Sequence, residues 1–141
     1  TLKAVFEMAR RVEEIKDDNK EIKNAQDVYE YAKEMKFLKQ EECKVLHLNT
    51  KNKIVGDYTI GRGTINSTLI HPREVFSKAI RERATSVILI HNHPSGEPSP
   101  SQEDNMITQQ LQEAATIIGI QLLDHVIIGN NKWYSYQESK W

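Results

Sequence analysis

The sequence predicts a mixed α/β domain, with parallel and antiparallel strands in one sheet and helices packed on it. Three observations carry that prediction. The spacing of apolar residues switches between a helical and an alternating period along the chain. The run Val87-Ile88-Leu89-Ile90 is continuously apolar and mostly β-branched, as suits a central strand covered on both faces. The 141 residues, 38% of them apolar, supply one core and not two.

Each element follows in order. Leu2, Val5, Phe6, Ala9, Val12 and Ile15 recur at helical spacing, so residues 1–18 read as an amphipathic helix. The polar stretch from Asp17 to Lys23 reads as a linker or a frayed helix end. Asn24 suits an N-cap with Asp27 three residues on, and a second helix runs to about Phe37 with Val28, Tyr31, Ala32 and Met35 inward. After Lys39 the period changes. Cys43, Val45 and Leu48 mark one strand, residues 50–53 a hairpin loop, and Ile54 to Ile60 the returning strand, which Gly61 and Gly63 break. Ser67 to Ile70 reads as a short further strand. Pro72 fits the first turn of a helix whose inward stripe is Val75, Ala79, Ile80 and Ala84. The central strand covers Thr85 to Ile90. A polar loop from His91 to Pro100 holds three of the four prolines. A helix from about Ser101 to Ile118 follows, with Ile107, Leu111, Ala114, Ala115 and Ile118 inward and Gly119 as its C-cap. Ile120 to Ile128 is a strand, Gly129-Asn130-Asn131 a turn, and Trp133 to Tyr136 a last strand.

Composition excludes several classes. Nineteen basic residues against 20 acidic leave a net charge of −1, which argues against gripping nucleic acid by bulk charge. The single cysteine, Cys43, excludes a disulfide scaffold and a cysteine-cluster zinc site. No apolar run approaches the roughly 20 residues of a membrane span, and no signal peptide is visible. A cytoplasmic domain without membrane association is the expectation.

The stretch that carries chemistry is His91-Asn92-His93 and the loop after it, at the end of the central strand, where α/β proteins place ligands and catalysts. In extended backbone, residues i and i+2 project to one side, so His91 and His93 can converge on one ion. A tetrahedral zinc needs a third protein ligand and keeps a fourth position for water. Asp104 is placed to supply the ligand, in the first turn of the next helix, if the Pro- and Gly-containing loop folds that turn back over the strand end. Two nitrogens and an oxygen suit zinc, and iron(II) takes the same set. There are plainer readings. Ser101 and Asp104 resemble a capping box, acids favour helix N-termini, and the two histidines can be solvated loop residues.

The spacing H-x-H, seven residues, S, two residues, D resembles the metal motif of the JAB/MPN (JAMM) metalloprotease superfamily, and His91, His93, Ser101 and Asp104 match it without a gap. The text from His91 to Ser101, with Arg62-Gly-Thr, His71-Pro-Arg-Glu and the stretch from Leu123 to Gly129, resembles the RadC-like branch over roughly residues 25–137. The resemblance implies an MPN/JAB-type, cytidine-deaminase-like fold, a mixed sheet flanked by helices. It implies Zn2+ on His91, His93 and Asp104. It also implies a glutamate at an upstream strand start acting as general acid and base. That glutamate aligns with Glu41, and Glu42 is the neighbour that a one-residue register slip would substitute. Ser101 would stabilise a developing oxyanion, a contact worth about 3–4 kcal/mol in other hydrolases.

The implied activity is hydrolysis of an amide, peptide or isopeptide-type bond in an unidentified peptide or protein substrate. An alternative is a DNA-repair-associated accessory domain, which the balanced charge supports weakly. A third reading is a protein-interaction scaffold without metal, against which the full ligand set weighs. RadC-like proteins usually carry a helix-hairpin-helix region before this domain. Residues 1–23 are therefore expected to be an N-terminal helix and linker left from it, and 24–141 the RadC-like domain. Among the other histidines, His125 reads as a hydrogen-bonded core or edge residue, or as one that helps shape the site. His47 faces away from Leu46 and Leu48, and His71 belongs to a helix entry. Arg62 and Arg73 read as surface ion-pair partners, and Trp133 and Tyr136 as core or edge cover.

Overall fold

The computed structural model describes residues 1–5, 20–66 and 69–139. Residues 2–5 are helical, and the rest of the helix expected over 1–18 lies outside the described residues. Of the stretch expected to be a linker or a frayed helix end, the described residues from Lys20 on are held by pairing. The Ile22 amide donates to the Asn52 carbonyl at 2.8 Å, the Ile54 amide donates to the Lys20 carbonyl at 2.9 Å, and Ile22 is buried.

Asn24 starts the first described full helix, α1 (Ala25–Ala32), its side chain accepting from the Asp27 amide at 2.9 Å. The chain then tightens into a 3₁₀ turn at Lys33–Phe37, so the second helix is shorter than its apolar spacing suggests. β1 (Glu42–Leu48) and β2 (Ile54–Arg62) form the expected hairpin. β2 does not stop at Gly61. Cys43 pairs with Gly61 and Lys44 with Thr59, so Ile60 is an extra, bulged residue and the strand continues beyond it. A Cβ on Gly61 would lie 2.8 Å from Leu69, so this glycine marks a close approach rather than a strand break. Leu69 and Ile70 lie in a turn and bend rather than a strand, and residues 67–68 lie outside the described residues.

α2 (Pro72–Arg81) begins with Pro72 after His71, whose ring accepts from the Arg73 amide at 3.0 Å. Val75, Phe76 and Ala79 bury its inner stripe, whereas Ile80, expected inward, is 54% exposed. β3 (Ser86–Asn92) runs two residues further than the apolar run. α3 (Gln102–Ile118) ends at Gly119 with φ +82°, β4 (Gln121–Ile128) returns, and β5 (Trp133–Ser135) closes the sheet.

Among the described residues the sheet has the order β2-β1-β3-β4-β5, antiparallel throughout except for the β3–β4 pair. That parallel pair needs a crossover, which α3 supplies. Alternation divides the sheet into two faces. Cys43, Val45, Val87, Leu89 and Leu122 pack on α2 and α3, with Val75, Phe76, Ile107, Leu111 and Ala115. Leu46, Leu48, Ile88, Ile90, Val126 and Ile128 pack under α1, with Val28, Tyr29 and Met35. The expected mixed sheet flanked by helices is therefore a three-layer α/β/α arrangement. Among the described residues no helix is long and apolar enough to cross a membrane.

Candidate metal centre

The centre lies where β3 runs out. The His93 amide donates to the Ile128 carbonyl at 3.0 Å, so extended pairing continues one residue past Asn92. His91 and His93 consequently point to the same side, toward α2 and α3. The chain then reverses. The Gly96 amide donates to the His93 carbonyl at 2.9 Å, and Gly96 has φ +87°. The Asn130 amide donates to the Gly96 carbonyl at 2.8 Å, and Lys132 pairs with Glu97 at 2.7 Å, so the β4–β5 turn holds the loop. This reversal sets the first turn of α3 over the end of β3.

Ser101 caps that helix. Its Oγ accepts from the Asp104 amide at 3.1 Å, and the Ser101 amide donates to Asp104 Oδ2 at 2.8 Å. Asp104 is also at the histidines. Oδ1 lies 3.2 Å from His91 Nε2, Oδ2 lies 3.2 Å from His93 Nε2, and the two Nε2 atoms are 3.0 Å apart. The cap and ligand readings of Asp104 are therefore compatible: one carboxylate is within reach of both.

His91, His93 and Asp104 form a group that could hold a metal ion. Donors about 2.0–2.1 Å from a tetrahedral ion lie about 3.3 Å from one another, close to the separations here. His93 Nδ1 is 2.9 Å from the Glu97 carbonyl, which can only accept, so Nδ1 carries a hydrogen and the neutral ring turns its Nε2 lone pair inward. The electrostatics favour a cation. Burial raises the Asp104 carboxyl, but hydrogen bonds from His91 and His93 in their protonated forms outweigh it and hold the group far below the usual carboxylate range. Burial lowers His93, and the Asp104 carboxylate, the Glu97 carbonyl and the Glu41 charge together leave it above its ordinary value.

Glu41 and Glu42 differ in what they touch. Glu41 Oε2 accepts from the Ile65 amide at 2.8 Å, and its charge reaches His93 on the metal-group face. Glu42 points the other way by alternation and accepts from Thr59 at 3.3 Å and Arg62 at 3.2 Å. Asn92, between the two histidines, is buried and ties this strand start to β3. It accepts from the Glu42 amide at 2.7 Å and donates to the Gln40 carbonyl at 3.0 Å. Sequence reasoning gave Asn92 no role, though its place within H-x-H was a usable signal.

The remaining candidates sort simply. Arg62 pairs with Glu42, and Arg73 with Glu74 at 3.7 Å. Cys43 is a buried core residue, and burial pushes its thiol up. Tyr136 is buried against His125, and Trp133 stacks on Tyr29. His125 lies inside the site rather than at an edge: its Nε2 is 2.8 Å from His91 Nδ1. Thr108, four residues after Asp104 and so on its helix face, reaches His125 Nδ1 at 2.6 Å. Sequence reasoning missed it.

An α/β/α domain with two histidines and an aspartate converging at the end of a central strand defines a class of possible metal-site proteins. Comparison with known proteins narrows it. Residues 22–141 match the RadC-like JAB domain family, and the chain belongs to that family. It is 48% identical over 137 residues, 96% of its length, to a UPF0758 protein of Chlorobium phaeovibrioides. It is equally similar over the same number of residues to a UPF0758 protein of Bacillus cereus, and 47% identical over 136 residues to one of Chlorobaculum tepidum. The chain spans about 61% of the length of these curated relatives.

Proposed function

We propose that this domain is a zinc-dependent hydrolase of amide bonds in peptides or proteins, isopeptide-type bonds included. The convergence of three electron-pair donors, His91 Nε2, His93 Nε2 and an ionised Asp104 carboxylate, at 3.0–3.2 Å carries this reading. Membership of the RadC-like JAB family supports it. Two nitrogens and one oxygen are the donor set zinc takes in catalytic sites that keep one position open. Bound there, zinc would supply Lewis-acid polarisation of a carbonyl and make water a better nucleophile near neutral pH.

The chain's own groups take the rest of the work. Glu41 is the general base that accepts the attacking water's proton and returns it to the leaving amine. The Ile65 amide on Oε2 holds that carboxylate in place and leaves Oε1 for the proton. Ser101, whose Oγ already accepts from the Asp104 amide, has its hydroxyl hydrogen free to donate to the developing oxyanion. The near-zero net charge supports a protein substrate over strong phosphate binding, and the reduced, buried Cys43 suits a cytoplasmic setting.

The test combines elemental analysis with cleavage of a peptide library. Wild type should hold about one zinc per chain and cleave in a chelator-sensitive way. Glu41→Gln should keep the metal and lose cleavage, and Glu42→Gln should keep both. His91→Ala with His93→Ala should lose the metal. Near-zero zinc in wild type and double variant alike, or salt-sensitive DNA binding without cleavage, would overturn the proposal.

A further inference from the structure

Behind the three donors lies a chain of buried hydrogen bonds that the ligand set does not explain. We propose that Thr108 and His125 are positioning residues that fix which nitrogen of His91 faces His93 and Asp104. The inference deepens the metal-site reading and rests on it for its consequence.

The argument follows the protons outward from one fixed point. The Thr108 hydroxyl is 2.7 Å from the Asp104 carbonyl, and a carbonyl can only accept. The single hydroxyl hydrogen is therefore spent on that carbonyl. Thr108 Oγ1 is also 2.6 Å from His125 Nδ1, and with its hydrogen spent it can only accept there. His125 Nδ1 must then carry a hydrogen. The His125 ring is buried, and among the described residues no carboxylate is hydrogen-bonded to it, so it is neutral and holds that one hydrogen. Its Nε2 is left with a lone pair, 2.8 Å from His91 Nδ1. His91 Nδ1 must donate to it. In the neutral His91 ring the Nε2 lone pair therefore faces Asp104 and His93, as ligation requires.

Packing holds the relay in register. The His125 ring stacks on Tyr136 with centroids 5.0 Å apart and planes within 9°, and the Tyr136 hydroxyl donates to Asn105 at 2.6 Å. Metal-ligating histidines commonly donate their second nitrogen to a carboxylate or backbone carbonyl. Here a second histidine stands in that place, and it can accept only because Thr108 holds its single hydrogen on Nδ1. The arrangement is reversible in principle. If Thr108 could not accept, His125 could carry its hydrogen on Nε2, and His91 would be driven to the tautomer with a hydrogen on its own Nε2.

The test reads tautomers and metal affinity together on the 141-residue chain. Long-range nitrogen–proton spectra of the nitrogen-15-labelled, metal-free protein should show His91 and His125 both protonated on Nδ1. Thr108→Val keeps the shape and removes the acceptor. It should move the His91 hydrogen to Nε2 and weaken zinc binding by roughly 10–100-fold. Thr108→Ser should restore both readouts, which a merely structural role for Thr108 does not require. His91 protonated on Nε2 in wild type would overturn the proposal. So would a folded Thr108→Val protein with unchanged tautomers and zinc affinity. Wild type with both rings protonated on Nδ1 but no zinc uptake would support the relay and overturn the metal-site reading.

Discussion

Asp104 has two obligations that pull in different directions. As a cap it needs only an acceptor for the Ser101 amide, which an amide oxygen would supply as well. As a ligand it would place negative oxygens 3.2 Å from two imidazole nitrogens, and with both rings neutral and no cation present that puts electron pairs against electron pairs. A site arranged this way gives up stability of the empty protein for affinity. Asp104→Asn separates the two. The amide oxygen can keep the cap, and the NH2 group can donate to one of the bare Nε2 atoms. At pH 8 in chelator, the melting temperature of Asp104→Asn should equal or exceed that of wild type. On adding zinc, wild type should gain stability, about 2.7 kcal/mol at a free zinc concentration of 100 Kd, and the variant should gain almost none. Differential scanning fluorimetry with and without zinc reads both. A variant strongly destabilised in chelator would show that the carboxylate is needed for structure alone.

At the scale of elements, the site is held from the far side of its own loop. Gly129 opens the β4–β5 turn, and a Cβ there would lie 2.5 Å from the Gly96 carbonyl and 2.7 Å from Pro98. These neighbours are backbone and a proline ring, which cannot swing away. Gly129→Ala should therefore push the His93–Pro98 loop outward and loosen the Glu97 carbonyl from His93 Nδ1, although Gly129 is remote from the ligands in sequence. The expected result is a loss of about 1–3 kcal/mol in urea unfolding and zinc binding roughly tenfold weaker. Ser101→Ala should cost about 1 kcal/mol through its cap, with the metal retained. The same contacts explain what the sequence could and could not disclose. The hairpin, the H-x-H strand end and the capped α3 were legible because each is written in local spacing: apolar period, turn residues and a cap. The bulge at Ile60 and the pairing of residues 20–22 depend on contacts between segments, which spacing does not encode. The turn at Leu69 is local: its amide donates to Asn66, a turn signal that the apolar spacing of the segment hides. His125 was legible as a buried histidine but not as a neighbour of His91. That contact is set by the parallel register, in which Leu89 pairs with His125 and His91 with Ile127. The shortened α1 has no breaker residue, and nothing in the structure explains why the 3₁₀ turn replaces its last turn.

At the scale of the whole molecule, the sheet keeps a second polar cluster at its other end. His47 is buried and 3.1 Å from Glu82, which also receives the Tyr58 hydroxyl at 2.6 Å, while Lys78 sits 3.7 Å over the Tyr58 ring. The cluster ties β1 and the edge strand β2 to the end of α2. His47 lies four residue steps along β1 from Cys43, which pairs with His91, a distance of roughly 13 Å along the strand. At that separation the two clusters should act independently. Burial lowers His47 below its ordinary value, only partly opposed by Glu82. The sign of its contribution follows. On acidification through about 6.5 the unfolded chain takes up the proton first, so stability falls with falling pH until the folded value is also passed. Glu82, held low chiefly by the Tyr58 hydrogen bond, adds a loss of the same sign at lower pH. His47→Gln removes the first of these. In chelator, urea unfolding at pH 7.5 and 5.5 should show a smaller acid-induced loss in the variant than in wild type. Zinc affinity at pH 7.5 should be unchanged. An unaltered pH dependence would show that His47 titrates alike folded and unfolded, and a changed zinc affinity would show that the two ends of the sheet are coupled after all.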